Sequence, residues 1–315
     1  MQYLHAIALG IIQGVAELFP ISSAAHTLLL SALFRWPLPS LPFVVMLHLG
    51  TFLAVLVYFA RDYWRVLLGF FNGFKTGFAG QDERLALWIV IGTIPLFAIG
   101  KVAEPFFDML FAMPIVAAII LLVTGAVLFA IERIKVTPPA RPVAEDQRGP
   151  EDARMFFPTA QGPEHYEGAA ALPWWQAVLI GLSQVAGLFP GGSRSGFSIA
   201  AGMLSGLSRE EASRFSFLLA GPAIVGASAF EFMNIIRNVP PQPGAPTMHG
   251  VANLAAATEP HLVILTGTIV AFLSGMVAIR FFMRYVNDHK LTPFAYYCWA
   301  FGLVMLGILL SRHGS

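Results

Sequence analysis

The chain has 315 residues, of which 57% are hydrophobic and 12% are charged, and its mean hydropathy is +0.69. Because a soluble domain of this length does not need so much apolar surface, the composition indicates a polytopic membrane protein. The net charge of +1, without any block of Lys or Arg, excludes a basic surface for nucleic acid. The single cysteine, Cys298, excludes a disulfide framework and a cysteine metal site.

Two stretches of the chain are apolar but interrupted. The first, 1–34, is broken by Pro20 and a polar cluster, and 174–207 is broken in the same way. The first stretch has no charged segment ahead of a small-residue cleavage site, so we expect mature protein from residue 1 onward. Irregular backbone at membrane depth is tolerated only where protein or a wet cavity surrounds it. Both stretches are therefore predicted to be re-entrant helix hairpins.

Six other apolar runs are long enough to cross a bilayer. They lie at about 43–60, 85–100, 112–131, 213–231, 262–279 and 291–310. The sequence therefore predicts six transmembrane helices in addition to the two hairpins.

The connections between these runs differ in their content of Lys and Arg. Such residues are frequent in 61–84, in 133–154 and in 280–290, whereas 232–261 has only Arg237. The positive-inside rule makes the first three connections cytoplasmic and the last one external. This arrangement requires each hairpin to return to the side from which it came. Each half is then one hairpin plus three spans, and the second half is inverted relative to the first.

The predicted architecture is an all-α polytopic membrane protein built as an inverted-topology repeat, with six transmembrane helices and two re-entrant helix hairpins. The two repeats are 1–133 and 173–315, and they form one integral membrane domain. The segment 134–172 is rich in Pro, Gly and acidic residues and lacks apolar periodicity, which predicts a flexible polar loop. A cap or a partner-binding loop is the alternative interpretation of this segment.

One motif occurs twice. Val15-Ala16-Glu17-Leu18-Phe19-Pro20 returns 170 residues later as Val185-Ala186-Gly187-Leu188-Phe189-Pro190, and each copy continues into a turn that contains Ser. An apolar half-helix that ends at Pro and then restarts is typical of a discontinuous membrane helix. Matched breaks in the two halves predict a polar site where the breaks meet. Because the copies have diverged, we expect one composite site with parts from both halves.

Polar residues surround the first break. Gln13 and Glu17 are four residues apart, so they share a helix face. A carboxylate this deep in an apolar run costs roughly 2.5–3.5 kcal/mol, which favours Glu17 as a metal ligand or proton carrier. Ser22 is equally well explained as a helix N-cap or as an anion-binding residue. Ser23 and His26 can touch on a helix, and His26 is a candidate to activate a serine, attack phosphorus or protonate a leaving group.

The second break is a turn rich in Gly and Ser that leads into a helix. Its glycines permit close backbone approach, its hydroxyls donate hydrogen bonds, and its arginine offers a planar fork suited to phosphate oxygens. The helix start adds a positive dipole end. The segment predicts an oxyanion site, although a tight loop with a salt bridge to Glu17 would show the same pattern. The residues concerned are Gly192, Ser193, Arg194, Ser195, Gly196 and Ser198.

Two other groups of polar residues are given structural interpretations. His48 lies inside a predicted span and is interpreted as a packed residue. Ser208 is predicted to cap a helix that begins near Arg209 at the membrane face.

With these residues in view, the chain resembles the undecaprenyl-pyrophosphate phosphatase (bacitracin-resistance) family of bacterial membrane enzymes. The resemblance rests on Gln13-Gly-Val-Ala-Glu17-Leu-Phe-Pro20-Ile-Ser22-Ser23-Ala-Ala-His26 and on Pro190-Gly-Gly-Ser193-Arg194-Ser195-Gly196. It continues through Gly206-Leu-Ser-Arg209-Glu-Glu-Ala and Phe215-Ser-Phe-Leu-Leu-Ala220-Gly-Pro222. It covers most of the chain outside the central loop.

The resemblance implies an enzyme that hydrolyses undecaprenyl diphosphate to undecaprenyl phosphate and inorganic phosphate. This reaction recycles the lipid carrier for peptidoglycan and cell-wall synthesis and is connected with resistance to bacitracin. The resemblance also implies a divalent cation, Mg²⁺ or Ca²⁺, and a location in the bacterial inner membrane with the active site facing the periplasm or cell exterior. The implied partners are the polyprenyl diphosphate and membrane lipid; homodimer formation is left open.

Carried over by position, the resemblance implies catalytic roles for Glu17, Ser23, His26 and Arg194, with Glu17 also binding metal. The implied substrate-binding residues are Gln13, Ser22, Gly192, Ser193, Ser195, Gly196 and Ser198. Whether Ser23 or His26 is the nucleophile is left open.

Three features depart from the family pattern. Gln13 stands where some members have a first Glu, Ala24-Ala25 replaces a small residue plus Gly, and the 134–171 insertion is long. The first departure removes one anionic ligand, and the second makes the turn less permissive.

Two other classes of membrane protein were weighed. A transporter or flippase of polyprenyl phosphate lipids would use the same broken-helix architecture, and phosphate release separates it from a phosphatase. The other class of membrane phosphatase pairs a Ser-Arg motif with a nearby downstream His and Asp. No such His or Asp follows Arg194 closely, so this class is rejected.

Overall fold

The structure, a computed structural model, describes residues 3–134, 167–236 and 260–313, and the regular elements in these ranges are all helical. The helices are α1 (Tyr3–Ala16), α2 (Ser23–Phe34), α3 (Leu41–Tyr58), α4 (Ala60–Thr76), α5 (Gln81–Val102), α6 (Glu104–Phe111), α7 (Pro114–Ile131), α8 (Glu167–Ala171), α9 (Trp174–Ser183), α10 (Arg194–Leu204), α11 (Arg209–Ile236), α12 (His261–Asp288) and α13 (Thr292–His313). A short 3₁₀ helix, Gln184–Leu188, follows α9.

Several helices have the length and composition of membrane spans. Within the described ranges these are α5, α7, α12 and α13, and α3 with α4 makes a fifth if that bent pair is one span. The prediction of an all-α polytopic membrane protein is confirmed. The predicted span 213–231 lies inside α11, which is more polar: it buries Glu211 and Arg214. The count of six spans, the inverted repeat and the division at 133 and 173 stay predictions.

Both predicted helix breaks are present. In the first half, α1 ends at Ala16 and α2 begins at Ser23, with Pro20 between them. In the second half, the 3₁₀ helix ends at Leu188 and α10 begins at Arg194. Proline lacks a backbone N–H and disfavours helix at the residue before it, so each apolar half-helix ends where its Pro occurs.

The predicted connection after α3 is itself a helix, α4. Its axis is bent by 85° from that of α3, and its apolar side chains Trp64, Phe71 and Phe74 are 60–70% exposed. Its basic residue Arg65 pairs with Asp82 at 2.7 Å. The prediction of a charged connection here missed the helix, because the basic residues are interleaved with apolar ones along an amphipathic helix.

Each broken helix packs against a helix from the other half. Helix α1 lies along α12, and α9 lies along α5. The backbones approach closely at two glycines. A Cβ atom added at Gly14 would lie 2.0 Å from the Ser274 hydroxyl oxygen. A Cβ atom at Gly181 would lie 2.3 Å from the Gly92 carbonyl oxygen. Small residues at such contacts are the usual means by which membrane helices pack.

A buried carboxylate joins three helix ends away from the breaks. Glu132, just past the end of α7, accepts hydrogen bonds from the Arg209 guanidinium at 2.7 and 2.6 Å and from the Leu291 N–H at 2.8 Å. The predicted start of α11 is confirmed: the Ser208 hydroxyl accepts from the Glu211 N–H at 3.2 Å, and the Glu211 carboxylate accepts from the Ser208 N–H at 3.1 Å. This reciprocal pair is a capping box.

Most of the predicted flexible loop 134–172 lies outside the described residues. Its last part is described and forms α8, which packs against α5 and α11. The Gly168 N–H donates to the Glu211 carboxylate at 3.2 Å. The run of alanines after Glu167 explains this helix, because Ala has the highest helix propensity.

Candidate active site

The two helix breaks are in direct contact. A Cβ atom added at Gly196 would lie 3.3 Å from Pro20 Cβ, so the first turn of α10 rests on the turn before α2. The Ser195 hydroxyl donates to the Glu17 carbonyl oxygen at 3.3 Å. The predicted composite site at the junction of the two halves is therefore a contiguous region of the protein.

The restarting helices are capped in the same way. Ser22 is the N-cap of α2, and its hydroxyl accepts from the Ala25 N–H at 3.2 Å. Ser193 is the N-cap of α10, and its hydroxyl accepts from the Gly196 N–H at 3.1 Å. Both helices therefore begin at the junction, where their free N–H groups and positive dipole ends favour an anion.

Glu17 is the centre of the site. One carboxylate oxygen, Oε1, accepts from Arg194 Nη2 at 2.8 Å. The other, Oε2, accepts from the Ser23 hydroxyl at 2.7 Å and from Gln13 Nε2 at 3.3 Å. The side chain of Glu17 is 9% exposed. The first residue of each restarting helix, Ser23 and Arg194, thus binds one oxygen of the same carboxylate.

One nitrogen of the Arg194 guanidinium is not used in the ion pair with Glu17. Its Nη1 atom is buried and has no hydrogen-bond partner among the described residues, whereas Nη2 binds Glu17. A buried guanidinium donor without a partner carries a desolvation penalty, so it indicates a ligand that completes its hydrogen bonds. Guanidinium groups bind phosphate oxygens with two parallel donors. The ion pair with Glu17, which was the alternative interpretation of this segment, is present. It leaves this second donor for an oxyanion.

The glycines of the second break are required by their surroundings. A Cβ atom at Gly192 would lie 1.7 Å from the Ala186 carbonyl oxygen. Gly191 has φ = 96° and a Cβ atom there would lie 2.2 Å from the Ala117 carbonyl oxygen. The Thr124 hydroxyl donates to the Gly191 carbonyl at 2.9 Å, so α7 helps to fix this turn.

Three of the predicted substrate-binding hydroxyls form hydrogen bonds within the protein. Ser22 and Ser193 serve as the N-caps, and both are at most 3% exposed. Ser198 lies one helical turn further on, where its hydroxyl contacts the Arg194 carbonyl oxygen at 2.7 Å and the Ser216 hydroxyl at 2.6 Å. These serines shape the site through the backbone they hold.

The imidazole of His26 is bound at both ring nitrogens. Nδ1 lies 2.7 Å from the Ser22 carbonyl oxygen, and Nε2 lies 2.7 Å from the Tyr297 hydroxyl of α13. The expected contact with Ser23 is not the one formed, because the Ser23 hydroxyl donates to Glu17. In this structure Glu17 is therefore the base within reach of Ser23.

His48 was interpreted as a packed residue, but it faces the site. Its Nε2 atom lies 3.4 Å from Glu17 Oε2, and its Nδ1 atom lies 2.9 Å from the Val44 carbonyl oxygen. Helix α3 therefore supplies a further polar neighbour to the carboxylate. No sequence signal near His48 indicated this, because the contact joins helices that are distant along the chain.

Comparison with known proteins decides the family. A family model described as "Bacitracin resistance protein BacA" matches residues 6–304. The chain belongs to this bacitracin resistance family. It is 38% identical over 332 residues to an undecaprenyl-diphosphatase of Mycolicibacterium paratuberculosis, with 99% of each chain covered. It is 37% identical over 322 residues to undecaprenyl-diphosphatase 2 of Oenococcus oeni, again with 99% of each chain covered.

A more distant member of the bacitracin resistance family also matches over its full length. The undecaprenyl-diphosphatase of Geobacter sulfurreducens is 33% identical over 312 residues, covering 99% of this chain and 100% of the relative. The resemblance stated from the two motifs is confirmed.

Two departures from the family pattern are explained by the geometry. Gln13 donates to Glu17 through its amide, so the two side chains attract each other, whereas two carboxylates here would repel. Ala24 and Ala25 lie in the first turn of α2, which is ordinary helix and does not need the conformational freedom of glycine.

The divalent cation expected for the bacitracin resistance family has few protein ligands here. The described residues contain no group of three or more His, Cys, Asp or Glu side chains that could hold a metal ion. Glu17 is a carboxylate that contacts both breaks, through Ser23 and Arg194. This donor set fits a cation that takes most of its ligands from a diphosphate and from water, as Mg²⁺ commonly does.

We expect that H48A lowers kcat/KM about tenfold, because it removes one polar neighbour that orients Glu17. H48Q can place an amide nitrogen near the position of Nε2 and is expected to recover most of this loss. The measurement is the rate of phosphate release from a polyprenyl diphosphate. H5A is the control, since His5 lies on α1 and its ring contacts Trp36. Wild-type kinetics in H48A would show that His48 only packs.

Proposed function

We propose that this protein is an undecaprenyl-diphosphatase, which hydrolyses undecaprenyl diphosphate to undecaprenyl phosphate and inorganic phosphate. Full-length relatives carry that name, and the chain belongs to their family. The observation that carries the proposal is the buried Nη1 atom of Arg194, which has no hydrogen-bond partner among the described residues and lies at the junction of two helix N termini. The relatives named above are hydrolases, so the flippase alternative has no support from them.

The diphosphate headgroup binds where the breaks meet. Its terminal phosphoryl oxygens accept from Arg194 and from the first-turn N–H groups of α10, which follow the tight turn at Gly192. These donors are fixed before the substrate arrives and oppose the charge that develops on the phosphoryl oxygens. The prenyl chain stays among the apolar side chains and membrane lipid.

Ser23 supplies the nucleophile and Glu17 the base. The Ser23 hydroxyl donates to Glu17 Oε2 at 2.7 Å, so the carboxylate can take its proton as the oxygen attacks the terminal phosphorus. The bond from that phosphorus to the bridging oxygen breaks, and undecaprenyl phosphate leaves. Water then attacks the phosphorus of the phosphoserine, the bond from phosphorus to the Ser23 oxygen breaks, and that oxygen regains the proton held by Glu17. Inorganic phosphate leaves with the protons of the water.

A Mg²⁺ or Ca²⁺ ion, when bound, neutralises negative charge on the diphosphate oxygens. Glu17 would hold it, together with oxygens of the substrate. In the cell, the protein acts in the bacterial inner membrane with its pocket open to the periplasm or cell exterior. There it recycles the lipid carrier for cell-wall synthesis and contributes to bacitracin resistance.

Phosphate release from undecaprenyl diphosphate by the purified protein tests the proposal. We expect release that stops when EDTA removes divalent cations and resumes when Mg²⁺ or Ca²⁺ is added. Release that continues in EDTA would contradict the metal requirement alone. If folded protein released no phosphate with either cation, the proposal that the protein is a phosphatase would be overturned. Movement of polyprenyl phosphate lipid across the bilayer of vesicles that contain the protein would then support the transporter alternative.

A further inference from the structure

The last helix of the second half reaches the first helix break. The Tyr297 hydroxyl lies 2.7 Å from His26 Nε2. The His26 ring is also stacked on Phe301, with 4.7 Å between the ring centroids and 5° between the planes. His26 is 5% exposed, so its position is fixed on two sides by α13.

These contacts define where the protons are. The Ser22 carbonyl oxygen can only accept, so His26 Nδ1 carries a hydrogen and donates to it at 2.7 Å. In the neutral imidazole Nε2 then has the lone pair, and the Tyr297 hydroxyl donates to it. Tyr297, His26 and the Ser22 carbonyl thus form one continuous line of hydrogen bonds with a single direction.

The line ends on a strained residue. Ser22 has φ = 68° and ψ = 97°, a conformation that a residue with a Cβ atom adopts only when its surroundings hold it. The next residue is Ser23, whose hydroxyl donates to Glu17. The direction in which Ser23 points therefore depends on how firmly the Ser22 backbone is held.

We propose that Tyr297 is a positioning residue: through His26 it holds the strained Ser22 backbone, so that the Ser23 hydroxyl stays aimed at Glu17. The inference rests on the proposed function for its kinetic effect, in which Ser23 is the nucleophile. It assigns His26 the task of linking α13 to the first break. Strain of this kind is characteristic of functional sites, where the surrounding structure maintains it.

Y297F is the first test, since it removes one hydroxyl and keeps the ring stack. The expected result is a roughly tenfold lower kcat with KM changed less than twofold, because substrate binding depends mainly on Arg194 and α10. The matched control is Y296F. Tyr296 precedes Tyr297 on α13 and packs its ring against Phe129 and Trp299, so this variant is expected to behave as wild type. A wild-type kcat in Y297F, or an equal loss in Y296F, would overturn the proposal.

A second variant tests the route through Ser22. Glycine adopts φ = 68° without strain, so S22G is expected to reduce the dependence on Tyr297. The double variant S22G/Y297F should therefore lose less kcat relative to S22G than Y297F loses relative to wild type. An equal loss in both backgrounds would contradict the route through the Ser22 backbone.

A readout that needs no activity separates this inference from the proposed function. Nitrogen chemical shifts of ¹⁵N-labelled histidine distinguish the two neutral tautomers. Wild-type His26 is expected to carry its hydrogen on Nδ1. Y297F is expected to keep that tautomer, because the Ser22 carbonyl oxygen still accepts, and to move the Nε2 resonance, since Nε2 loses its hydrogen-bond donor. H26N, which loses its signal, assigns the resonance. An Nε2–H tautomer in the wild type would overturn the inference even in an active enzyme; an inactive enzyme with the expected tautomer would count against the proposed function alone.

Discussion

R194K is expected to lower kcat/KM for phosphate release by about 10²–10³-fold, the range found when one preorganised donor to a developing oxyanion is removed. Lysine keeps the positive charge but has a single nitrogen, whereas Arg194 binds Glu17 through Nη2 and leaves Nη1 for a phosphate oxygen. The ammonium group can satisfy the carboxylate or the substrate at full strength, but it does not offer two parallel donors. Steady-state kinetics with undecaprenyl diphosphate measure the effect.

The chain provides a matched control for R194K. Arg209 also binds a carboxylate, with two hydrogen bonds to Glu132, but that ion pair joins helix ends away from the breaks. R209K is expected to lower the melting temperature and to leave kcat/KM close to that of wild type. If R194K kept more than a tenth of the wild-type kcat/KM, or if R209K lost as much as R194K, the guanidinium would not be the group that binds the phosphoryl oxygens.

G192A is expected to abolish phosphate release and to destabilise the protein by roughly 3 kcal/mol, at the upper end of overpacking effects. The added methyl group would lie 1.7 Å from the Ala186 carbonyl oxygen, which is backbone and cannot turn away. The turn must therefore open, and the start of α10 must move away from Glu17. Thermal unfolding in detergent and phosphate release together measure the two effects.

The control for G192A is another glycine that has space. A Cβ atom at Gly307, within α13, would meet nothing within 4 Å outside its own helix. G307A is expected to stabilise the protein by up to about 1 kcal/mol, because alanine has the higher helix propensity. Wild-type activity in G192A would mean that the backbone of this turn can relax, and it would remove the reason given for the glycine.

The sequence predicted the elements that depend on local chemistry. Each Pro after an apolar half-helix marked a helix break, and the spacing of Gln13 and Glu17 placed both side chains on one face. The meeting of the two breaks was predicted because the two motifs are copies of each other. The ion pair between Glu17 and Arg194 was given as the alternative interpretation of the second break. Ser22 as an N-cap followed from its place before a restarting helix.

Other parts of the site depended on contacts between distant helices. His48 on α3 and Tyr297 on α13 lie in apolar runs with no local pattern that indicates a site. Ser23 and His26 can touch on a helix, but the Ser23 hydroxyl donates to Glu17 instead. Spacing of i, i+3 permits an approach and does not fix side-chain directions. The bend after α3 was also missed, since an amphipathic helix and a charged connection have similar composition.

The packing of α1 against α12 has a consequence for how the protein is made. Helix α1 is translated well before α12, but the surface that covers its Gly14 face belongs to α12, residues 261–288. During synthesis the first break, with Glu17 and Ser23, must therefore wait in the membrane without its final neighbours. Polar groups are expensive in that setting, and such distant contacts form late. The active site is accordingly incomplete until α12 has been translated and has packed against α1.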